Sequence, residues 1–426
     1  MKQATQIIND LKDNKYDEML IDLYVDESQL EYQKNRYVQA IEKYISLYGD
    51  TQVAIYSAPG RSEVGGNHTD HQHGCVLAAA VNLDAIAIVG KTDQSVKVLS
   101  DDFDIAPIEI ADLKKKVEES GTSEALIRGV LARLQELGYQ IGGFNAFITS
   151  DVLMGAGLSS SAAFETIIGT IISGLYNQMT IDPVVIAQVG QYAENVYFDK
   201  PCGLMDQCAS SVGSLINIDF KDVDKPVVRK VDVDFSKFGH SLCIVDTKGS
   251  HADLTNEYAA IPLEMKQVAN YFGKEFLRDV DEQEFFDSIA KVREINNDRA
   301  VLRAIHLFEE NKRVDREVAA LNSGDFDLFK KLVQESGNSS YKFLQNVYAN
   351  SDVFNQSVSL GLAMSERILQ DNGVCRVHGG GFAGTIQAFV KDEFVSKYQM
   401  EIEKVFGQGS CHILKVRKYG GKEVID

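Results

Sequence analysis

Between Asp151 and Ala163 the chain reads DVLMGAGLSSSAA. A strand feeds a turn of small residues, then three serines, then an apolar helix. Gly155 and Gly157 let the backbone bend and come close to a ligand. Ser159, Ser160 and Ser161 fall at the helix N-terminus, where unpaired N–H groups and the helix dipole attract anions. Their hydroxyls suit phosphate oxygens or a magnesium ion. One serine there would read as an ordinary helix cap, whereas the block reads as a phosphate loop. It lacks the GK[ST] of a Walker A loop.

Three other segments carry unusual polarity or glycine. Ala58–Gly74, APGRSEVGGNHTDHQHG, sets Arg61, Glu63, Asn67, His68, Asp70, His71 and His73 between two apolar strands. Such density is costly beside buried strands unless it is solvated or functional. The histidines suggest a metal, but so tight a turn cannot easily aim them all at one ion. A polyol fits better, because carboxylate, imidazole and amide together accept from and donate to vicinal hydroxyls. Glu194–Gly213, ENVYFDKPCGLMDQCASSVG, places Asp206 in a mostly uncharged stretch. A lone carboxylate there calls for a partner, and Arg61 is the candidate. Gly373–Val390, GVCRVHGGGFAGTIQAFV, brings backbone near something, expected across from the serine loop. Alone it would be a tight β-turn.

The mixture of strands and helices around these groups suggests an α+β chain. Its 426 residues are typical of two lobes sharing a cleft. The net charge of −19 argues against a nucleic-acid partner, which needs a basic surface. The first twenty residues have no apolar run or small-residue cleavage site, and Cys75–Val89 contains Asn82 and Asp84, so neither a secretory leader nor a membrane span is expected. Six scattered cysteines without a CxxC pair read as free buried thiols in a cytoplasmic chain. Spacing predicts helices over 17–48, 123–137, 161–176, 182–197, 282–320, 324–345 and 352–371. Strands are expected over 52–57, 76–90, 144–150, 241–246 and 385–390, with APGR as a turn. Elements alternate without a regular βαβ rhythm.

The order APGR…HTD, GAGLSSSAA, CGLMDQ, GGGFAG resembles the galactokinase family of the GHMP small-molecule kinases. The likeness runs from about residue 54 to 418, and includes VDTKGSHADLTNEY (245–258) and AVLRAIHLFEENKRV (300–314). It implies a two-lobed fold with mixed sheets and helices, lobes over 1–230 and 231–426, and an active site in the cleft. It further implies transfer of the γ-phosphate of ATP to the anomeric hydroxyl of galactose. On that resemblance Asp206 is the catalytic aspartate and Arg61 its partner. Asn67, His68, Asp70, Gly203 and Tyr258 fall at sugar-contacting positions. Gly155, Gly157, Ser159, Ser160 and Ser161 match the ATP loop, while Ser160 and Glu194 match the magnesium site. Sugar and ATP are then the partners of a monomer or weak homodimer. Phosphoryl transfer needs positioning, charge neutralisation and magnesium more than covalent chemistry.

The sequence also departs from the family. GRVNLIGEHTDYNGG is here GRSEVGGNHTDHQHG, so Asn67 replaces a glutamate and His71 a tyrosine; His378 stands where a threonine is usual. A glutamate about 4 Å from a ligand carboxylate would cost ~4 kcal/mol at an effective dielectric near 20. Asn67 therefore keeps galactose possible and makes galacturonate tolerable, and Asn67→Glu is expected to improve galactose use. A non-catalytic sugar and nucleotide sensor is the alternative of another class. The N-terminal helix is left open as lid, interface or packing.

Overall fold

The computed structural model describes residues 1–101, 103–153, 157–249 and 254–426. Its strands form two sheets. The first holds β1 (Lys2–Gln3), β2 (Gln52–Gly65), β3 (Cys75–Thr92), β4 (Ser95–Ser100), β5 (Phe103–Glu109), β6 (Gly143–Ser150), β7 (Leu215–Asp219) and β8 (Val227–Val231). The second holds β9 (His240–Asp246), β10 (Gly373–Val377), β11 (Thr385–Lys391) and β12 (Cys411–Leu414), in the order β10-β11-β9-β12. The last strand, β13 (Lys422–Ile425), returns to the first sheet beside β2. Within the first sheet the main path is β1-β2-β3-β6-β4-β5, antiparallel except for β4 with β6.

β3 is long enough to serve two neighbourhoods. Its first half pairs with β7 and its second half with β6. Both faces of the second half are covered, which explains its continuous apolar run. Ala85, Ala87 and Val89 face α4 (Ser123–Glu136), α5 (Ser160–Asn177) and α6 (Pro183–Tyr192); the alternating Ile86 and Ile88 face the N-terminal helices. Those helices are α1 (Ala4–Lys12), α2 (Asp17–Tyr24) and α3 (Leu30–Tyr48). The single helix expected over 17–48 is broken at Val25, whose φ is +57°, and the side chain of Asp26 accepts from the Ser28 N–H to start a short turn.

APGR is not a turn. β2 runs through it, and the pairing with β3 slips between Pro59 and Arg61 and again between Glu63 and Gly65. Such bulges bend a strand and re-aim its side chains. Asp182 caps its helix as the sequence suggests, accepting from Val184 N–H at 2.7 Å. Beyond Tyr192 that helix widens into one π turn, Ala193–Tyr197, which carries Glu194. α7 (Met205–Val212) follows and carries Asp206 in its first turn.

The C-terminal half supplies α8 (Thr255–Tyr271), α9 (Glu282–Asp287), α10 (Ile289–Ile295), α11 (Asp298–Asn322), α12 (Phe326–Ser339), α13 (Ser357–Leu369) and α14 (Val395–Phe406). The helix expected over 282–320 is thus three helices, interrupted near Ser288 and Asn296. One apolar cluster joins the two sheets, with Leu77 and Leu158 packed among Phe329, Phe389 and Ile244. Among the described residues no helix is long and apolar enough to cross a membrane.

Candidate functional site

The bulge in β2 aims Arg61 at the start of α7. Arg61 Nε donates to Asp206 Oδ1 at 2.6 Å and Nη2 donates to Oδ2 at 2.5 Å, a two-pronged pair. The third arm of the guanidinium, Nη1, donates to the carbonyl of Gly157, and the Arg61 backbone N–H donates to the carbonyl of Leu158 at 3.0 Å. Burial opposes the charge on Arg61, yet Asp206 holds its pKa above the usual arginine value. The cation, the carboxylate and the serine loop are therefore one connected unit.

In the loop, Gly155 lies outside the described residues. Gly157 has φ +69°, and a Cβ there would stand 3.1 Å from both His378 Nδ1 and Thr385 Oγ1. The glycine-rich third motif is thus across from the loop. Ser159 is left-handed at φ +56° and precedes Ser160, the first residue of α5. Ser161 Oγ donates to Glu194 Oε1 at 3.4 Å. Lys200 Nζ also donates to that oxygen, at 2.8 Å, and Gln207 Nε2 bridges Glu194 Oε2 (2.9 Å) and Glu165 Oε2 (3.0 Å). Burial, and then the field of Glu194, push the Glu165 carboxyl well above its usual range; its Oε1 is buried without a partner among the described residues.

Three successive glycine carbonyls receive the other predicted residues. Asn67 Nδ2 donates to Gly379 O (2.7 Å), His68 Nε2 to Gly380 O (2.9 Å) and the Tyr258 hydroxyl to Gly381 O (2.7 Å). A carbonyl can only accept, so His68 carries its proton on Nε2 and presents Nδ1 as an acceptor. Burial, aided by His71, lowers the His68 pKa to about 4. Burial works against the charge of Asp70, but the hydrogen bond and field of His71 keep it below the usual carboxylate range. Gly203 passes so close to Asp70 that a Cβ would lie 2.7 Å from Oδ2. Burial raises the Tyr258 hydroxyl to about 12.

Asn67 faces inward. It is fully buried; its amide also donates to Glu63 Oε1 (3.1 Å), and its Oδ1 accepts from Ser340 Oγ (3.1 Å) and Asn346 Nδ2 (2.9 Å). Behind it Arg376 pairs with Glu63 at 2.7 Å, both buried. The sequence reading missed Arg376, Lys200 and Gln207. Each stands inside a quoted motif; a charge near a glycine turn could have found Arg376 and Lys200, and an amide next to the catalytic carboxylate could have found Gln207.

A cavity of about 1110 Å³ opens beside the loop, with Ser160 and Ser161 at one end and an apolar side formed by Leu126, Phe164 and Phe198. Arg61 and Asp206 do not line it. The serine loop thus touches both: Ser160 and Ser161 line the cavity, and Gly157 meets Arg61.

The galactokinase galactose-binding signature matches residues 42–91, and the GHMP kinases N terminal domain matches residues 125–214. A galactokinase of Streptomyces coelicolor is 31% identical over 86% of this chain and 92% of its own length. One from Glaesserella parasuis is 33% identical over 79% and 85%. Among solved structures, a Lactococcus lactis galactokinase complexed with galactose superposes with a TM-score of 0.75, covering 90% of this chain and 98% of its own at 22% identity. The Methanococcus jannaschii mevalonate kinase covers 86% and 98% with a TM-score of 0.60 at 16% identity.

Proposed function

Because the chain belongs to the galactokinase family, we propose that it phosphorylates galactose at the anomeric hydroxyl, giving galactose 1-phosphate and ADP. In this reaction O1 of the sugar attacks the γ-phosphorus, the bond from that phosphorus to the β,γ-bridging oxygen breaks, and the O1 proton passes to Asp206 or to solvent. Asp206 orients O1, and Arg61 holds Asp206 while offering positive charge towards the transferring group. The serine hydroxyls and the first N–H groups of α5 hold phosphate oxygens. His68 Nδ1 and Asp70 accept from sugar hydroxyls, Gly203 leaves room for the ring, and Tyr258 closes one side. Most of the acceleration comes from positioning and neutralised charge.

The observation that carries this reading is the three-armed grip of Arg61 on Asp206 and the Gly157 carbonyl. It couples the residue that meets the sugar to the loop that meets ATP. A magnesium ion fits the donors beside the loop: Ser160, Ser161, Glu194 and the Glu165 oxygen that has no partner among the described residues are hard oxygen ligands. When bound, it would neutralise phosphate charge; Lys200 and Gln207 hold Glu194 in place. The two lobes, 1–230 and 231–426, are proposed to close over these groups in a cytoplasmic monomer or weak homodimer.

The test is ADP release with galactose, N-acetylgalactosamine, galacturonate, arabinose and glucose, each with and without magnesium. Turnover with galactose that needs magnesium supports the reading. Preference for galacturonate would favour a sugar-acid kinase, the reading suggested by a neutral residue at the family's glutamate position, but the inward, fully bonded Asn67 lends it no support. Sugar and nucleotide binding without ADP release would favour a sensor.

A further inference from the structure

The N-terminal helices form one wall of the cavity that begins at the serine loop. Tyr24, Asp26, Gln29, Tyr32 and Gln33 all line it. This wall is anchored to the segment that leads into the loop. Arg36 Nη1 donates to Asp84 Oδ1 (2.7 Å) and lies 3.1 Å from Asp151 Oδ2, while Nη2 donates to the carbonyls of Asp84 (2.8 Å) and Thr149 (3.3 Å). The Tyr32 hydroxyl donates to Asp151 Oδ1 at 3.0 Å.

Charge decides which part of a nucleotide this wall can face. Asp26, Asp101 and Asp151 line the same cavity, so a triphosphate is repelled here and drawn to the N-terminus of α5. A neutral base and ribose are not repelled, and ribose hydroxyls can donate to carboxylates. Tyr32 offers a half-exposed ring. Gln33 Oε1 accepts from Arg36 Nη1 at 3.2 Å, which leaves its NH2 as the group it offers to the cavity. Gln29 is exposed and offers both halves of its amide.

We propose that Tyr24, Gln29, Tyr32 and Gln33 belong to the nucleotide site, with the Tyr32 ring packed against the nucleoside of ATP and Gln29 and Gln33 bonding its polar edge. The inference deepens the kinase reading, since it takes this cavity as the site of the phosphate donor. It also gives the N-terminal helices a binding role in addition to packing.

The experiment measures ADP binding by calorimetry without sugar, and KM for ATP and for sugar separately, in Tyr32→Ala, Tyr32→Phe and Gln29→Ala. Glu31→Ala, on the same helix and solvent-facing, is the control. Tyr32→Ala is expected to raise the ADP Kd and the ATP KM about five- to twentyfold, with kcat and sugar KM within about twofold. Tyr32→Phe keeps the ring and should lose about threefold or less. Wild-type ADP affinity in both Tyr32→Ala and Gln29→Ala overturns the proposal, as does an equal loss in Glu31→Ala. If the wild-type protein binds ADP but phosphorylates no sugar, the kinase reading fails while the ADP titrations still decide the role of this wall.

Discussion

Arg61 and Asp206, 145 residues apart in the chain, meet through two parallel N–H···O bonds of 2.6 and 2.5 Å. The pairing leaves a third guanidinium arm for the Gly157 carbonyl. A lysine in place of Arg61 could reach only one of these three acceptors well, because an ammonium lacks the planar fork.

Asp206→Asn is therefore expected to lower kcat by about 10²–10⁴-fold while the melting temperature stays within a few degrees. Arg61→Lys should lower kcat too, and should change KM less than kcat. ADP-release kinetics beside a thermal melt checks both. An Asp206→Asn protein with ordinary turnover would remove the carboxylate from its assigned place.

His68 gives a pH prediction. Its folded pKa of about 4 lies below the ordinary histidine value of 6.5, because burial favours the neutral ring. The neutral ring's contribution to stability is complete above pH 6.5 and is lost as pH falls towards 4. The Nδ1 acceptor survives over the same range, so sugar KM should be flat from about pH 8 to pH 5.5. His68→Phe should raise sugar KM by more than about tenfold without moving ATP KM. A sugar KM that climbs near pH 6.5 in the wild-type protein would contradict the lowered pKa of His68.

Glu194 is held by Lys200, Gln207 and Ser161 at the edge of the serine loop. Glu194→Gln keeps the shape and removes the charge. At fixed ATP it should raise the magnesium concentration needed for half-maximal rate by about tenfold, with sugar KM unchanged. Magnesium titration of the rate reads this directly, and an unchanged half-saturation point would place the ion elsewhere.

Local patterns made much of this legible. The alternation in 52–57, the Asp182–Pro183 cap and the serine block each depend on neighbours in sequence. What stayed hidden depends on partners far away. APGR looks like a turn because Pro and Gly usually make one, but pairing with β3 absorbs both in a bulge. On α11, Arg303, His306, Glu310, Arg313 and Glu317 recur at spacings of three and four, a pattern that on most surface helices faces solvent. They are buried instead, because Glu264 meets Arg303 and Arg376, Glu63, Ser339 and Asn67 meet the others. The same long-range pairing hid the inward turn of Asn67.

That inward turn reverses the expectation for Asn67→Glu. A glutamate there could no longer donate to Gly379 O or Glu63 Oε1, and would bring a second carboxylate against Glu63. Loss of buried donors and like-charge contact destabilise by about 3–5 kcal/mol when one partner of a buried polar network is removed. The variant should melt well below the wild type, with any galactose activity reduced rather than improved. Denaturant unfolding together with galactose kinetics distinguishes this from a gain in sugar binding.

Glu317 offers the reverse case, a buried acid whose removal stabilises. Both its carboxylate oxygens are buried without a hydrogen-bond partner among the described residues, close against Gly65. Burial raises its pKa to about 8; Glu310 and Glu63 add to the rise, and Arg376 and Arg313 oppose it. A folded pKa above the ordinary value of 4.5 means that the folded state holds the proton more tightly than the unfolded chain. The resulting stabilisation is complete below pH 4.5 and falls away as pH rises to about 8. Glu317→Gln stays neutral throughout, so its advantage over the wild type should be small near pH 5 and grow to roughly 2–4 °C in Tm near pH 8.5. Thermal melts of the two proteins at both pH values check this. A Tm difference that does not change with pH would show that Glu317 is not the group titrating.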